Sequence, residues 1–214
     1  MKKIKREYYF IIMLLFCFVL LTYFVVNGSA YKLDKMIFDN VIKMQNNFIS
    51  NFLFDITNLA STLGIFFLSL IALIILIIKR KINLFKYIFL NIASGISLMQ
   101  VLKHIIRRAR PIWQWIEQSG FSYPSGHTIS AVLLYGSFII LLLKFYNGKF
   151  KNIFVILLVL MIILTGLSRI YFGVHYFTDV LASLILGTII LIISNMFLNR
   201  EFGNNDKNKS RKAI

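Results

Sequence analysis

FSYPSGHTISAVLLYGSFIILLL, residues 121–143, sets Pro124-Ser125-Gly126-His127 directly ahead of a long uncharged apolar run. The Pro-Ser-Gly sequence makes a tight bend, and the histidine after it gains or loses a proton near neutral pH. The run from 128 to 143 is one of six segments, with about 8–27, 59–78, 84–102, 152–167 and 178–198, that approach the roughly 20 apolar residues needed to cross a bilayer. The runs at 128–143 and 152–167 are short, so their helices are expected to continue into the polar residues that flank them.

Composition agrees with repeated spans. Of 214 residues 58% are apolar, mean hydropathy is +0.77, and there are two prolines. The chain reads as an all-α polytopic membrane protein with six transmembrane helices. Its single cysteine, Cys17, lies in the first apolar run and excludes an intrachain disulfide. The net charge of +16 does not point to nucleic acid, because so apolar a chain has no soluble basic face to offer a duplex.

The first run lies between Met1-Lys2-Lys3-Ile4-Lys5-Arg6 and Gly28-Ser29-Ala30, an arrangement resembling a cleavable signal peptide. Its apolar core is too long for one, so an uncleaved anchor is expected. With the N-terminus cytoplasmic, 16 of the 24 basic residues fall in cytoplasmic segments. The other eight face outward: Lys32, Lys35, Lys43, Lys103, Arg107, Arg108, Arg110 and Arg169. They run against the usual bias and need a reason.

Residues 31–57 carry Leu33, Met36, Ile37, Val41, Met44, Phe48 and Phe52 at helical spacing, with Asp34, Lys35, Asp39 and Lys43 between them. This predicts an amphipathic helix on the outer membrane surface or packed on the bundle. The expected organisation is a first transmembrane helix plus amphipathic helix over 1–58, a core of five transmembrane helices over 59–199, and a disordered cytoplasmic tail over 200–214.

In this topology three polar segments share the outer face. They are 103–111 (KHIIRRARP), 124–127 (PSGH) and 168–179 (SRIYFGVHYFTD). If Val174 onward opens the sixth helix, His175 and Asp179 stand at i and i+4, where the carboxylate accepts the Nδ1–H and leaves Nε2 free as acceptor or nucleophile. Asp179 is the one acidic residue of the last three spans, and an ionisable group there is a functional candidate. Lys103, Arg110 and Arg169 are suited to surround a phosphoryl group, with Ser125 and the Gly126 and His127 N–H groups adding donors at a helix start. Arg107 and Arg108 read as ordinary basic residues beside the membrane, and His104 as structural.

Phosphoester hydrolysis asks for a nucleophile, an acid for the leaving oxygen and preorganised positive charge. His175 oriented by Asp179, His127, and the cations would supply these parts. No Cys/His or multi-carboxylate cluster on this face suggests a metal cage, and no cofactor is expected.

These segments, in this order, resemble the signature of the type-2 phosphatidic-acid phosphatase superfamily, which also includes vanadium haloperoxidases. The pattern is a Lys, six residues, Arg-Pro; then Pro-Ser-Gly-His; then Ser-Arg, five residues, His, three residues, Asp. Lys103, Arg110, Pro111, Pro124, Ser125, Gly126, His127, Ser168, Arg169, His175 and Asp179 match every fixed position. The resemblance covers about 60–198 and implies that Lys103, Arg110, Ser125, Gly126 and Arg169 bind phosphate. It implies His175 as nucleophile and His127 as acid.

A site opening between apolar helices suits a lipid whose tail stays in the bilayer. Trp113, Trp115 and Tyr123 fit an interfacial belt near that entrance or plain anchoring. The Asn-, Lys- and Ile-heavy composition fits a low-GC bacterium, where undecaprenyl diphosphate on the outer face must lose a phosphate. Phosphatidylglycerol phosphate and phosphatidic acid remain open as substrates. A non-catalytic lipid or anion transporter is the contrasting class. The expected partners are a lipid phosphate and membrane lipids, with no nucleic acid.

Overall fold

The computed structural model describes residues 2–59 and 61–211, and every regular element among them is helical. The helices are α1 (Lys2–Val26), α2 (Tyr31–Val41), α3 (Asn47–Leu59), α4 (Thr62–Ile78), α5 (Ile82–Ile106), α6 (Gly126–Phe145), α7 (Lys151–Tyr171) and α8 (Phe177–Arg211), with a 3-10 turn at Ile42–Met44. Five have segments long and apolar enough to cross a membrane: Arg6–Val26, Ile82–Ile106, Gly126–Phe145, Lys151–Tyr171 and Phe177–Asn199. The sixth candidate is a broken one, in which α3 meets Leu63–Ile78 at a bend of 52°. The two short apolar runs do extend into polar flanks. α7 thereby carries Ser168 and Arg169 on its last turn, and α5 carries Lys103 on its own.

α6 is the central helix, packed against α5, α7 and α8, and all ten residues from Thr128 to Ser137 are buried. A helix apolar on every side fits such a position. In a bilayer, lipid tails compete equally for apolar side chains, so tight van der Waals contact has to hold helices together. Small residues permit that approach here: a Cβ on Gly187 of α8 would lie 2.6 Å from Val132 Cγ1 of α6, and one on Gly136 of α6 would lie 2.3 Å from Leu191 Cδ1 of α8. Buried Asn91 of α5 donates to Ser137 Oγ of α6 at 2.9 Å, so this interior pair leaves neither group unsatisfied. α1 lies along α8 and turns Tyr9, Ile12, Phe16, Val19 and Tyr23 outward.

Residues 31–57 differ from the single amphipathic helix expected. The chain breaks at Gln45, whose ψ of 126° is extended, and restarts where Asn46 Oδ1 accepts the Ile49 N–H at 2.9 Å, an N-cap bond that stops one helix and starts the next. Tyr171 fixes the break, its hydroxyl accepting the Asn46 N–H at 3.2 Å and its carbonyl accepting from Gln45 Nε2 at 2.9 Å. The faces of α2 also do not divide into apolar and charged sides. Its buried residues are Asp34 and Phe38, while Leu33 and Met36 are exposed.

The stretch from Arg200, expected to be disordered, continues as helix to Arg211, and residues 212–214 lie outside the described residues. Propagating an existing helix adds one hydrogen bond per residue fixed, which lets a span run on into polar sequence.

Candidate active site

α5 ends where Arg107 turns left-handed, at φ 51°, and donates its N–H back to Lys103 O at 2.9 Å. The chain then crosses the end of the bundle as an irregular loop to α6. Ser122 N bonds Arg108 O at 2.8 Å and Trp115 N bonds Phe172 O at 2.9 Å, tying the loop to itself and to the α7–α8 turn. Lys103 Nζ donates to Phe121 O. Ser125 is the N-cap of α6, and its Oγ accepts the Thr128 N–H at 3.4 Å and pairs with Thr128 Oγ1 at 2.9 Å. Ser183 Oγ donates to both Ser125 O (3.0 Å) and Asp179 O (2.9 Å), so the starts of α6 and α8 are stitched together.

The His175–Asp179 pair forms by a route other than the one the spacing suggests. α8 begins at Phe177, so His175 sits in the turn before the helix and not on its face. Asp179 instead reaches back to accept the Tyr176 N–H at 3.0 Å, the returning half of a capping box, and this brings its Oδ2 within 3.4 Å of His175 Nδ1. That separation is an electrostatic contact, longer than a formed hydrogen bond. On the other side of the ring, Arg110 Nη1 lies 3.3 Å from Nε2 and donates to Val174 O at 2.8 Å. A donor facing Nε2 and a carboxylate facing Nδ1 assign the proton to Nδ1 and the free lone pair to Nε2. Burial pushes the His175 pKa down to about 4 against the opposing pull of Asp179, so the ring is neutral at physiological pH.

Arg169 is 2% exposed, and one of its nitrogens donates to Thr57 Oγ1 of α3 at 2.8 Å. Its Nε and Nη2 are buried with no partner, as is His175 Nδ1. Buried, unsatisfied guanidinium donors are costly to maintain and call for an acceptor. His127, on the first turn of α6, stands within electrostatic reach of Arg169, His175, Arg110 and Lys103. The sequence-predicted cations and both histidines therefore converge. Gly126 opens α6 next to His127, and a Cβ there would lie 3.5 Å from Met99 Cε.

Two residues read as bland in sequence are not. Arg108 is no ordinary surface cation: Nη1 reaches Asp179 Oδ1 at 2.6 Å and Thr178 Oγ1 at 2.8 Å, and Nη2 reaches Asp34 Oδ2 at 2.7 Å. Its guanidinium also lies over the Tyr176 ring at 3.9 Å. Tyr123 is not part of an interfacial belt, being fully buried with its hydroxyl 2.7 Å from Thr22 Oγ1. Trp115 is exposed, and Trp113 stacks on Phe38 at 4.9 Å. Asp34 and Thr57, missed in sequence, contact the site from the first 58 residues, so that segment is structurally continuous with the core. The one local sign was a carboxylate, Asp34, four residues before Phe38 on the face that proves to be buried.

Comparison with known proteins agrees with this geometry. The PAP2 superfamily profile matches residues 83–202. Phosphatidylglycerophosphatase B of Bacillus subtilis is 36% identical over 103 residues, 47% of this chain, and the chain spans about half the length of that relative (51%). A crystal structure of a transmembrane PAP2-type phosphatidylglycerolphosphate phosphatase from Bacillus subtilis superposes with a TM-score of 0.83 at 26% identity, covering 89% of this chain and 96% of the other. LpxE of Aquifex aeolicus gives a TM-score of 0.64 at 26% identity over 77% of this chain and 95% of the other. The helical bundle, the three motifs gathered at one end of it and the profile match lead to one assignment: this chain belongs to the PAP2 superfamily.

Proposed function

We propose that the chain is an integral-membrane lipid phosphatase working through a phosphohistidine. The observation that carries this reading is Arg169, whose two unpartnered buried nitrogens lie within electrostatic reach of a neutral imidazole with an unprotonated Nε2. A phosphoryl oxygen satisfies those donors. Arg110 and Lys103 add charge on the same side, where it stabilises the negative oxygens of the transition state.

His175 Nε2 attacks phosphorus, the N–P bond forms as the bond to the leaving oxygen breaks, and His127, whose protonated form the negative charge of the bound phosphate favours, gives its proton to that oxygen. Asp179 stabilises the imidazolium character that develops on His175. His127, now neutral, takes a proton from water, whose oxygen attacks the phosphohistidine and releases phosphate and free His175. No step calls for a metal ion or a cofactor.

The substrate class that suits a charged pocket at the end of an apolar bundle is a lipid phosphate. The names of the Bacillus subtilis matches make phosphatidylglycerol phosphate the first lipid to assay. Undecaprenyl diphosphate, favoured from the sequence, stands beside it, with phosphatidic acid third. The excess of basic residues in the segments at the opposite end supports an extracytoplasmic site with both termini cytoplasmic.

The test is phosphate release by the purified protein in detergent with EDTA, from each of the three lipids. We expect turnover of at least one lipid, and a loss of about 10³-fold or more in His175→Ala, in line with other covalent nucleophiles. Full activity in that variant, or binding of all three lipids without release of phosphate, would overturn the reading in favour of a carrier.

A further inference from the structure

Two buried charges that the proposed chemistry leaves unused, Asp34 of α2 and Arg108 of the α5–α6 loop, form a chain that ends on Asp179 of α8, which it does use. Asp34 is 2% exposed although it lies on a short interfacial helix whose neighbours Tyr31, Lys32, Leu33, Lys35 and Met36 are all exposed. It meets α8 at its first turn, with Oδ1 accepting the Thr178 N–H at 2.9 Å and Oδ2 accepting from Thr178 Oγ1 at 2.8 Å. A carboxylate at a helix N-terminus takes up an otherwise orphaned N–H and meets the positive end of the dipole. The same Oδ2 takes one arm of the Arg108 fork at 2.7 Å, and the other arm goes to Asp179 Oδ1 at 2.6 Å.

The two oxygens of Asp179 are thus divided in role. Oδ1 is taken by Arg108, while Oδ2 accepts from Ser122 Oγ and Tyr176 N and faces His175 Nδ1. With Oδ1 held, the carboxylate has one orientation in which Oδ2 meets the imidazole. A guanidinium fork suits this task, because its planar donors address two acceptors at a fixed angle.

We propose that Asp34 and Arg108 are positioning residues: through Asp34, the interfacial helix α2 aims the Arg108 guanidinium at Asp179 and so fixes that carboxylate against the nucleophilic imidazole. The functional part of this statement rests on His175 as nucleophile, whereas the geometric part does not. The charges facing His175 are Asp179 on α8, Arg110 in the α5–α6 loop, Arg169 on α7 and His127 on α6, with Lys103 of α5 on the His127 side. Arg108 and Asp34 act on the ring through Asp179.

The experiment pairs two measurements on wild type, Arg108→Gln, Arg108→Lys and Asp34→Asn. The chain has three histidines, so ring ¹⁵N spectra of labelled protein in detergent can follow His175 itself, identified by its loss in His175→Gln. Removing the Arg108 charge leaves Asp179 less neutralised, so His175 in Arg108→Gln takes up its proton at a higher pH than in wild type. Arg108→Lys restores most of that shift, and Asp34→Asn gives no upward shift. With phosphatidic acid in mixed micelles, kcat falls at least tenfold in Arg108→Gln and several-fold in Asp34→Asn, while KM changes less than threefold.

An unmoved His175 titration in Arg108→Gln, or upward shifts of equal size in all three variants, overturns the proposal. So does kcat at the wild-type value in Asp34→Asn. If Arg108→Gln does not fold, Asp34→Asn decides the question alone: unchanged kcat rejects it, and reduced kcat with KM held supports it. Failure of phosphohistidine chemistry would leave the His175 titration intact, so the two readings fail separately.

Discussion

At the residue scale the site depends on contrasts between neighbouring side chains. His175 is buried and neutral, and the proton on its Nδ1 faces a carboxylate that Arg108 holds. Its pKa of about 4 lies below the ordinary histidine value of about 6.5, so the unfolded chain binds the proton more tightly than the folded one. Stability attributable to this ring is complete above pH about 6.5 and is lost as pH falls from there toward 4. A series of unfolding measurements in detergent will show it: His175→Gln lessens the pH dependence of stability in that window, and an identical dependence in the variant contradicts the account. Arg169 makes a second residue-scale case. Lysine cannot reproduce a fork that serves Thr57 with one arm and a phosphoryl oxygen with the others, so Arg169→Lys is expected to lower kcat/KM about 100-fold, roughly 2.7 kcal/mol of transition-state binding. A loss under threefold in steady-state kinetics would remove Arg169 from the phosphate pocket. The motif residues were legible in sequence because each cluster lies within a few residues of its helix end. Asp34 and Arg108 were not, since their contact joins positions 74 apart in the chain, and no periodicity records such a meeting.

At the element scale, helix ends do most of the positioning. The left-handed cap at Arg107, the Ser125 cap and the Asp179 backbone bond set where α5, α6 and α8 stop and start, and so where Lys103, His127 and His175 stand. Apolar runs foretold the helices themselves, but not their ends. The spacing of His175 and Asp179 fits a helix, yet the capping bond to Tyr176 N makes the contact from a turn. The reading of α2 failed for a related reason. The exposed side of that helix mixes Leu33 and Met36 with Lys32, Lys35 and Asp39, and its buried face pairs Phe38 with Asp34, whose carboxylate is held by Arg108 and Thr178, so apolar spacing alone could not say which residues turn inward. The α6–α8 contact yields a prediction at this scale. Val132 cannot retreat from a Cβ at Gly187, because its Cβ as well as its Cγ1 would lie within 3 Å. Gly187→Val is therefore expected to cost about 1–3 kcal/mol, visible as a lower unfolding midpoint in detergent, whereas an unchanged midpoint would show that α6 and α8 have slack.

Over the whole molecule, the three motifs meet because α5, α6, α7 and α8 alternate in direction and bring the ends of α5 and α7 to the starts of α6 and α8. Six apolar runs foretold that meeting once their order was known. The bend of 52° between α3 and α4 lay outside what hydropathy could say, since a window average carries no direction. α2 and α3 reach the site, with Asp34 touching Arg108 and Thr57 touching Arg169, so these helices and the core share one set of charged contacts. Orientation in the membrane is testable with a Cys17→Ser chain carrying Phe121→Cys. An impermeant thiol reagent is expected to label it from the outside of intact cells, and labelling only after lysis would invert the topology.

The central claim is that one imidazole takes the phosphoryl group while the other serves the leaving oxygen. Rapid mixing with a phosphorus-labelled lipid phosphate, quenching in alkali and mapping the labelled peptide tests it most directly. The account predicts an acid-labile, alkali-stable label on the peptide that contains His175, absent from His175→Gln. Steady turnover with no label on the protein at any quench time, or label on the peptide that contains His127, would contradict it.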